Sequence, residues 1–290
     1  MTVRKVVVPI AGYGTRFLPA TRTVPKVVFP VLETSPLHYS VSEAADAGIE
    51  QIILVVSDRQ ESAAAYFDRL PELESALANR GDNALLQRML AIPDMAEIRV
   101  VRQDRPLGLG HAILTARDLV GDEPFAVFLP DDLIWADTPT IGAMADMHAR
   151  TGSPILAVKQ VPDEMLSSLG IISPGPAEGD IFTVLGLVEK PSVAEAPSDL
   201  AIIGRYVLTP DIFDILARTP PSGRGEIEIT DAIAALLPAR EVYAYRFPGV
   251  HFDVGTPGGM LKASVYAALQ RDDLAADLRQ WLGEQLTDDE

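Results

Sequence analysis

The sequence has no cysteine, so it can form no disulfide framework, no thiolate metal centre and no cysteine nucleophile. This fits a reducing compartment. It holds only four histidines, and its 24 lysines and arginines are outnumbered by 41 aspartates and glutamates, a formal charge of −17. A chain so short of positive charge lacks the basic face that a nucleic-acid backbone requires. Any anionic substrate must instead be held by a few placed cations and a divalent metal, although an acidic surface also serves simply for solubility. No apolar run reaches membrane-spanning length, and the N-terminus enters a strand almost at once, without the charged leader of a secretion signal. The expectation is a cytoplasmic globular protein with no membrane partner. At 290 residues it can bury a full core.

What the sequence does contain is organised around one stretch. The β-branched run Lys5-Val6-Val7-Val8-Pro9-Ile10 breaks into Ala11-Gly12-Tyr13-Gly14-Thr15-Arg16, and Pro25-Lys26 follows. Two glycines after a buried strand let backbone N–H groups approach a phosphate, with cations at Arg16 and Lys26. The same pattern is also an ordinary strand-to-helix turn. The ATPase phosphate loop and the dinucleotide fingerprint are both excluded, the first for want of its Lys-Ser/Thr ending and the second because Phe17 occupies the place of its third glycine.

Ser35-Pro36 should cap a helix that stops at Gly48, and Gln51 to Val56 reads as the next buried strand. Strand, helix and strand make a right-handed βαβ unit with its glycine loop at the carboxyl end of the first strand, where open α/β sheets bind ligands. Glu61 to Ile92 reads as helical with one break at Gly81-Asp82-Asn83. Ile98 to Arg102 and Ala126 to Leu129 read as further strands, the latter closing on Pro130-Asp131-Asp132. Beyond Ile155 to Gln160 the runs become shorter and more β-like: Gly170 to Ser173, Phe182 to Lys190 and Ala201 to Leu208. Thr230 or Asp231 should cap a helix through Leu237, Val242 to Phe247 should be a strand, and Thr256 onward should be helical, with Thr287 to Glu290 frayed.

Taken in order, the loops resemble those of the bacterial UTP–glucose-1-phosphate uridylyltransferases. The matching segments are Ala11 to Thr21, Pro25-Lys26, Arg102-Gln103 with Pro106 to His111, Gly121 to Phe125, Leu129 to Asp132, Val188-Glu189-Lys190-Pro191, Leu200 to Tyr206, and Gly225-Glu226-Ile227 with Thr230-Asp231-Ala232. The resemblance implies an α/β, Rossmann-like nucleotidyltransferase fold with a mixed, largely parallel central sheet flanked by helices. One domain would occupy residues 1–255, its nucleotide-binding part about 1–135 and its sugar-binding part about 136–255, before a helical extension over 256–290. It implies attack by glucose 1-phosphate on the α-phosphorus of UTP, aided by Mg²⁺, to give UDP-glucose and pyrophosphate in a homodimer or homotetramer.

The resemblance also assigns roles. Arg16, Lys26, Asp131 and Lys190 would be catalytic, and Asp131 and Asp253 would hold the metal. Ala11, Gly12, Gly14, Thr15, Arg16, Gln103 and Gly108 would bind nucleotide, with the Gln103 amide on the uracil edge. Gly170, Glu189 and Lys190 would bind the sugar phosphate, and His111 would be structural. Such transfers need positioning and charge stabilisation more than covalent help, so the lack of a nucleophile is in keeping.

Several positions depart from the family. Val27 stands where a glutamate is usual, Glu33-Thr34-Ser35 replaces Asp-Lys-Pro, and His38 replaces a glutamine. Leu169 replaces a tyrosine, Asp199 an asparagine, and Val250-His251 a basic pair. Two alternatives therefore stand beside the main reading: a transferase for another pair such as dTTP and a sugar 1-phosphate, and a weakly active regulatory paralogue that binds sugar nucleotide.

Overall fold

The computed structural model describes residues 2–58 and 60–287. Its strands are β1 (Lys5–Pro9), β2 (Gln51–Val56), β3 (Glu97–Arg102), β4 (Phe125–Phe128), β5 (Asp132–Trp135), β6 (Ile155–Gln160), β7 (Gly170–Glu178), β8 (Ile181–Glu189), β9 (Leu200–Leu208), β10 (Tyr243–Arg246) and β11 (Val250–Asp253). Nine of them form one sheet in the order β3-β2-β1-β4-β9-β6-β10-β8-β7. Strands β8 and β9 oppose the other seven, so the sheet is mixed, as expected, with most of its strands running one way.

Alternation along the central strands fills both faces. Val7, Ile53, Val55 and Val127 join one apolar cluster, while Val6, Val8, Ile52, Leu54, Val56 and Phe128 join the other. Because successive side chains point to opposite faces, a near-continuous apolar run is what a doubly covered parallel strand needs.

The helix Pro36–Asp46 begins as the sequence predicts, with Ser35 Oγ accepting from the His38 amide at 3.1 Å. The Glu61–Ile92 segment is more broken than its periodicity predicts: a 3₁₀ turn, Glu61–Phe67, then helices Pro71–Arg80 and Asn83–Ala91. The extra break falls at Pro71, which suits the first turn of a new helix but not the middle of an old one. The segment lends Ala63, Phe67 and Ile92 to the second cluster.

Helix Ile229–Leu236 starts before Thr230, with Glu228 at the cap position and no side-chain cap bond. Thr230 gives its hydroxyl to Glu189 instead. Helices Pro257–Leu269 and Asp272–Thr287 close the described chain. Of the expected frayed tail, residues 288–290 lie outside the described residues.

The two-stranded sheet of β5 and β11 has no counterpart among the sequence expectations. It pairs antiparallel, Asp253 opposite Asp132 and His251 opposite Ile134. This sheet carries Asp253 from the far end of the chain to the carboxyl end of β4.

Candidate active site

The loop after β1 is held from both sides. The Gly12 carbonyl accepts from Gln60 Nε2 at 2.7 Å and the Gly14 carbonyl from Thr21 Oγ1 at 2.9 Å. Gly14 is left-handed, φ 61°, a conformation that glycine adopts at little cost, and it opens a 3₁₀ turn over Thr15–Phe17. Arg16 stands out from this turn, its Nη1 4.0 Å from Asp253 Oδ2.

Lys26 reaches across the sheet to Asp131, Nζ to Oδ2 at 2.5 Å. Asp253 faces the same place: its Oδ1 accepts the Gly255 amide at 2.8 Å, and a Cβ built on Gly255 would lie 2.7 Å from Asp131 Oδ2 and 2.8 Å from Asp253 Oδ1. Arg16, Lys26, Asp131 and Asp253 therefore form one cluster. Burial raises the carboxyl pKa of Asp253, and the nearby charges of Asp132 and Asp131 raise it further. Asp131 is driven the other way. Burial opposes its charge most strongly, but the Lys26 ammonium, a backbone N–H and the charge of Arg16 together hold the carboxyl below its ordinary value.

A raised native pKa means that an ionised Asp253 weighs against the fold. That cost is full at neutral pH and vanishes as the pH falls through the raised pKa and the side chain takes up its proton. In chelator, Asp253→Asn should therefore melt higher than the parent at neutral pH, by a margin that shrinks on acidification. Melting curves at several pH values check this, and a variant less stable than the parent at neutral pH would contradict it.

Gln103 is 6% exposed at the end of β3. Its Nε2 lies 3.3 Å from the Gly108 carbonyl and 2.9 Å from His111 Nδ1. Burial, then the charge of Arg105, lower the His111 pKa. With Nδ1 unprotonated the ring accepts from the glutamine amide, a contact between His111 and Gln103 that its expected structural role did not specify. Beside them lies a cavity of about 330 Å³ lined by Ala11, Tyr13, Ser57, Asp58, Arg102, Gln103, Asp104 and Pro106.

Gly108 has φ 95°, and a Cβ there would meet Glu226 Cβ at 2.8 Å; one on Gly110 would meet the Ile227 carbonyl oxygen at 2.7 Å. Backbone bonds join these loops, Ile227 N to Leu107 O at 2.7 Å and Gly110 N to Ile227 O at 2.8 Å. Gly110→Ala should cost about 1–3 kcal/mol of stability, as overpacking against rigid backbone does. Denaturant titration measures it, and a loss near zero would refute the close packing.

The second cluster lies at the end of β8. Gly170 stands opposite Glu189 in the β7–β8 ladder. Glu189 Oε2 accepts from Thr230 Oγ1 at 2.7 Å, and Oε1 lies 3.1 Å from Lys190 Nζ. Lys190 has φ 50°, so the backbone turns sharply as it leaves the strand. Arg224 approaches the same Glu189 oxygen at 3.5 Å while bonding Glu228 at 2.8 Å. The sequence reading missed Arg224 and, although Thr230 stood in a matched segment, gave it no role beyond a cap. The signal that would have found Arg224 is a cation between Gly223 and Gly225, directly before the matched Gly225-Glu226-Ile227.

Tyr206 is buried, and burial together with the charges of Asp132 and Glu189 pushes its phenol far above the usual range.

The departures find physical partners. Val27 is 3% exposed and packs in the apolar cluster with Val6 and Val8. His251 Nε2 lies 2.6 Å from Asp132 Oδ1. The Leu169 carbonyl accepts the Lys190 amide at 3.0 Å, and Asp199 Oδ2 accepts from Gln160 at 2.5 Å. His38 meets the Tyr66 hydroxyl at 3.2 Å, and Glu33 pairs with Arg271.

A mixed sheet with glycine loops, cations and paired carboxylates at its strand ends is the architecture of a nucleotide-handling transferase. The chain belongs to the nucleotidyl transferase family, whose model matches residues 5–269. It is 42% identical to the UTP–glucose-1-phosphate uridylyltransferase of Staphylococcus epidermidis over 280 residues, 97% of each chain. Among solved structures it resembles the UTP-bound UDP-glucose pyrophosphorylase of Acinetobacter baumannii, with TM-score 0.89 and 39% identity over 97% of this chain and 99% of that one. It also resembles a UDP-glucose pyrophosphorylase complexed with UDP-glucose, TM-score 0.85 and 38% identity over 93% of this chain and all of the other. The sequence resemblance to the uridylyltransferases therefore holds at the level of both sequence and fold.

Proposed function

We propose that this protein is a UTP–glucose-1-phosphate uridylyltransferase. A phosphate oxygen of glucose 1-phosphate attacks the α-phosphorus of UTP, the bond to the β-phosphate bridge breaks, and UDP-glucose and pyrophosphate leave. The observation that carries this reading is the meeting of Lys26, Asp131 and Asp253 at the end of β4.

In this reading Arg16 and Lys26 hold the triphosphate and stabilise the departing pyrophosphate, helped by the loop of Ala11, Gly12, Gly14 and Thr15. Gln103 pairs with the uracil edge, and Gly108 lets the backbone come close. Glu189 accepts from glucose hydroxyls near Gly170, while Lys190 neutralises the sugar phosphate and draws its oxygen toward the α-phosphorus. The nucleotide side then lies in about 1–135 and the sugar side in about 136–255, with 256–290 an extension.

Asp131 and Asp253 fit a magnesium ion. Both are hard oxygen donors turned to one point, and Lys26 keeps Asp131 ionised. No group of three or more such residues stands together among the described residues, which suits an ion that completes its shell with substrate phosphates and water. When bound, magnesium would neutralise charge on the triphosphate.

No helix among the described residues is long and apolar enough to cross a membrane. A cytoplasmic location and a homodimeric or homotetrameric assembly belong to the proposal.

The packing of Val27 into the core supports this reading over the regulatory one, since one of the departures behind that alternative is a core residue. Pyrophosphate release measured for UTP, dTTP, CTP, ATP and GTP, each with several sugar 1-phosphates, tests the proposal. UTP with glucose 1-phosphate should be the fastest pair; a large advantage for another pair would overturn the substrate assignment. Tight binding of UDP-glucose without turnover would restore the regulatory reading.

A further inference from the structure

Arg205 heads the fully buried large side chains, 1% exposed, and the proposed chemistry does not touch it. A guanidinium taken out of water is costly unless its donors are met. Here Nε and Nη2 reach Glu43 Oε2 at 2.9 and 2.7 Å, and Nη1 donates to the carbonyls of Leu129 and Gly204 at 3.2 and 3.0 Å. Its charge lies over the Phe128 ring, 4.2 Å from the centroid.

Those partners surround the turn that presents Asp131. The Leu129 amide donates to the Gly204 carbonyl at 2.8 Å, and the Leu129 carbonyl also accepts the Asp132 amide at 3.1 Å. The Asp132 carboxylate is held by the Gly204 amide at 3.2 Å and by His251. Arg205 thus grips the start of a four-residue turn whose end is already pinned. Glu43, on the helix Pro36–Asp46, ties that grip to the first βαβ unit. Replacing a buried ion pair by apolar residues of similar volume is often neutral or stabilising, so packing alone does not account for an ion pair here.

We propose that Arg205, braced by Glu43, is a positioning residue: through the Leu129 carbonyl it sets the turn so that the Asp131 carboxylate is aimed between Lys26 and Asp253. The inference rests on the reading of Asp131 and Asp253 as ligands of a divalent cation. A lysine at 205 can meet Glu43 or a carbonyl, but it lacks the planar fork that meets both.

The test compares the parent with Glu43→Met/Arg205→Met and with Arg205→Lys. The double variant should melt at or above the parent temperature, while kcat falls about 10–100-fold, the range seen when outer partners of metal ligands are removed. The magnesium concentration for half-maximal rate should rise about 10-fold, with KM for UTP within about twofold of the parent. Arg205→Lys should lie between the two. Manganese titrated into enzyme with UTP, followed by electron paramagnetic resonance, supplies a readout apart from turnover and should show about 10-fold weaker binding.

A folded double variant with parental kcat and parental manganese affinity overturns the proposal. Should that variant not fold, Arg205→Lys decides by the same titration, with parental affinity again overturning it. A parent without divalent-ion dependence would sink the metal reading and this inference together. A dependent parent with unaltered variants sinks the role of Arg205 alone.

Discussion

Lys190→Ala should lower turnover about 10²–10³-fold, as removal of one preorganised stabilising group does. Lys190 and Arg224 are the cations gathered around Glu189, and Arg224 is already bonded to Glu228. Removing the lysine leaves the sugar phosphate facing Glu189 with less compensation, so the attacking oxygen is both repelled and poorly placed. The fold should survive. Lys190 pairs with Glu189 at a partly solvated surface of the cleft, and such pairs contribute about 0–1 kcal/mol. Initial rates and a melting curve on the same preparation check both halves. KM for glucose 1-phosphate should rise more than KM for UTP, and activity near the parent level would remove Lys190 from the mechanism.

Asp131→Asn should do more, lowering turnover about 10³-fold or beyond, the equivalent of several kcal/mol of charge stabilisation. An amide keeps the shape but loses the charge that attracts a cation, and it no longer balances Lys26. The cost to stability is limited by relief elsewhere, because Asp253 loses one of the two negative neighbours that raise its pKa. The pH profile gives a second signature. Asp131 has a lowered pKa in the native state, so its ionisation supports the parent fold at neutral pH, and this support is lost as the pH falls through that lowered value. The variant should lack that acid-side loss. Parental turnover with unchanged magnesium dependence would exclude Asp131 from the site.

The sequence made the strands around the first βαβ unit legible because β1, β2 and β4 are buried on both faces and so carry short, unbroken β-branched or aromatic runs. The helix at Pro36 was equally plain, since Ser-Pro at its start and glycine beyond its end are local signals. Strands β5 and β11 were not legible. Each has only four residues, mixes acid with aromatic, and exists because of the other.

Thr230 shows the same limit from another side. Locally it is a good helix cap, yet Glu189 competes for its hydroxyl and wins, which only the placement of β8 against that helix could decide. Val27 stood in the sequence as a departure from a usual glutamate and proved to be core, because which face of a 3₁₀ turn is buried depends on what lies beneath it.

By itself, then, the sequence determined the class of sheet, the order of the early elements and the chemical types available for a site: cations, carboxylates, glycines and no nucleophile. Local burial and capping energies set these, and they act between residues close in the chain. Only the tertiary structure decided which of them meet. The pairing of β11 with β5 brings Asp253 to Asp131, and the buried Arg205 links its own strand to Glu43 and to the turn before Asp131. Such contacts depend on sheet order and register, which residue identities at a distance do not specify.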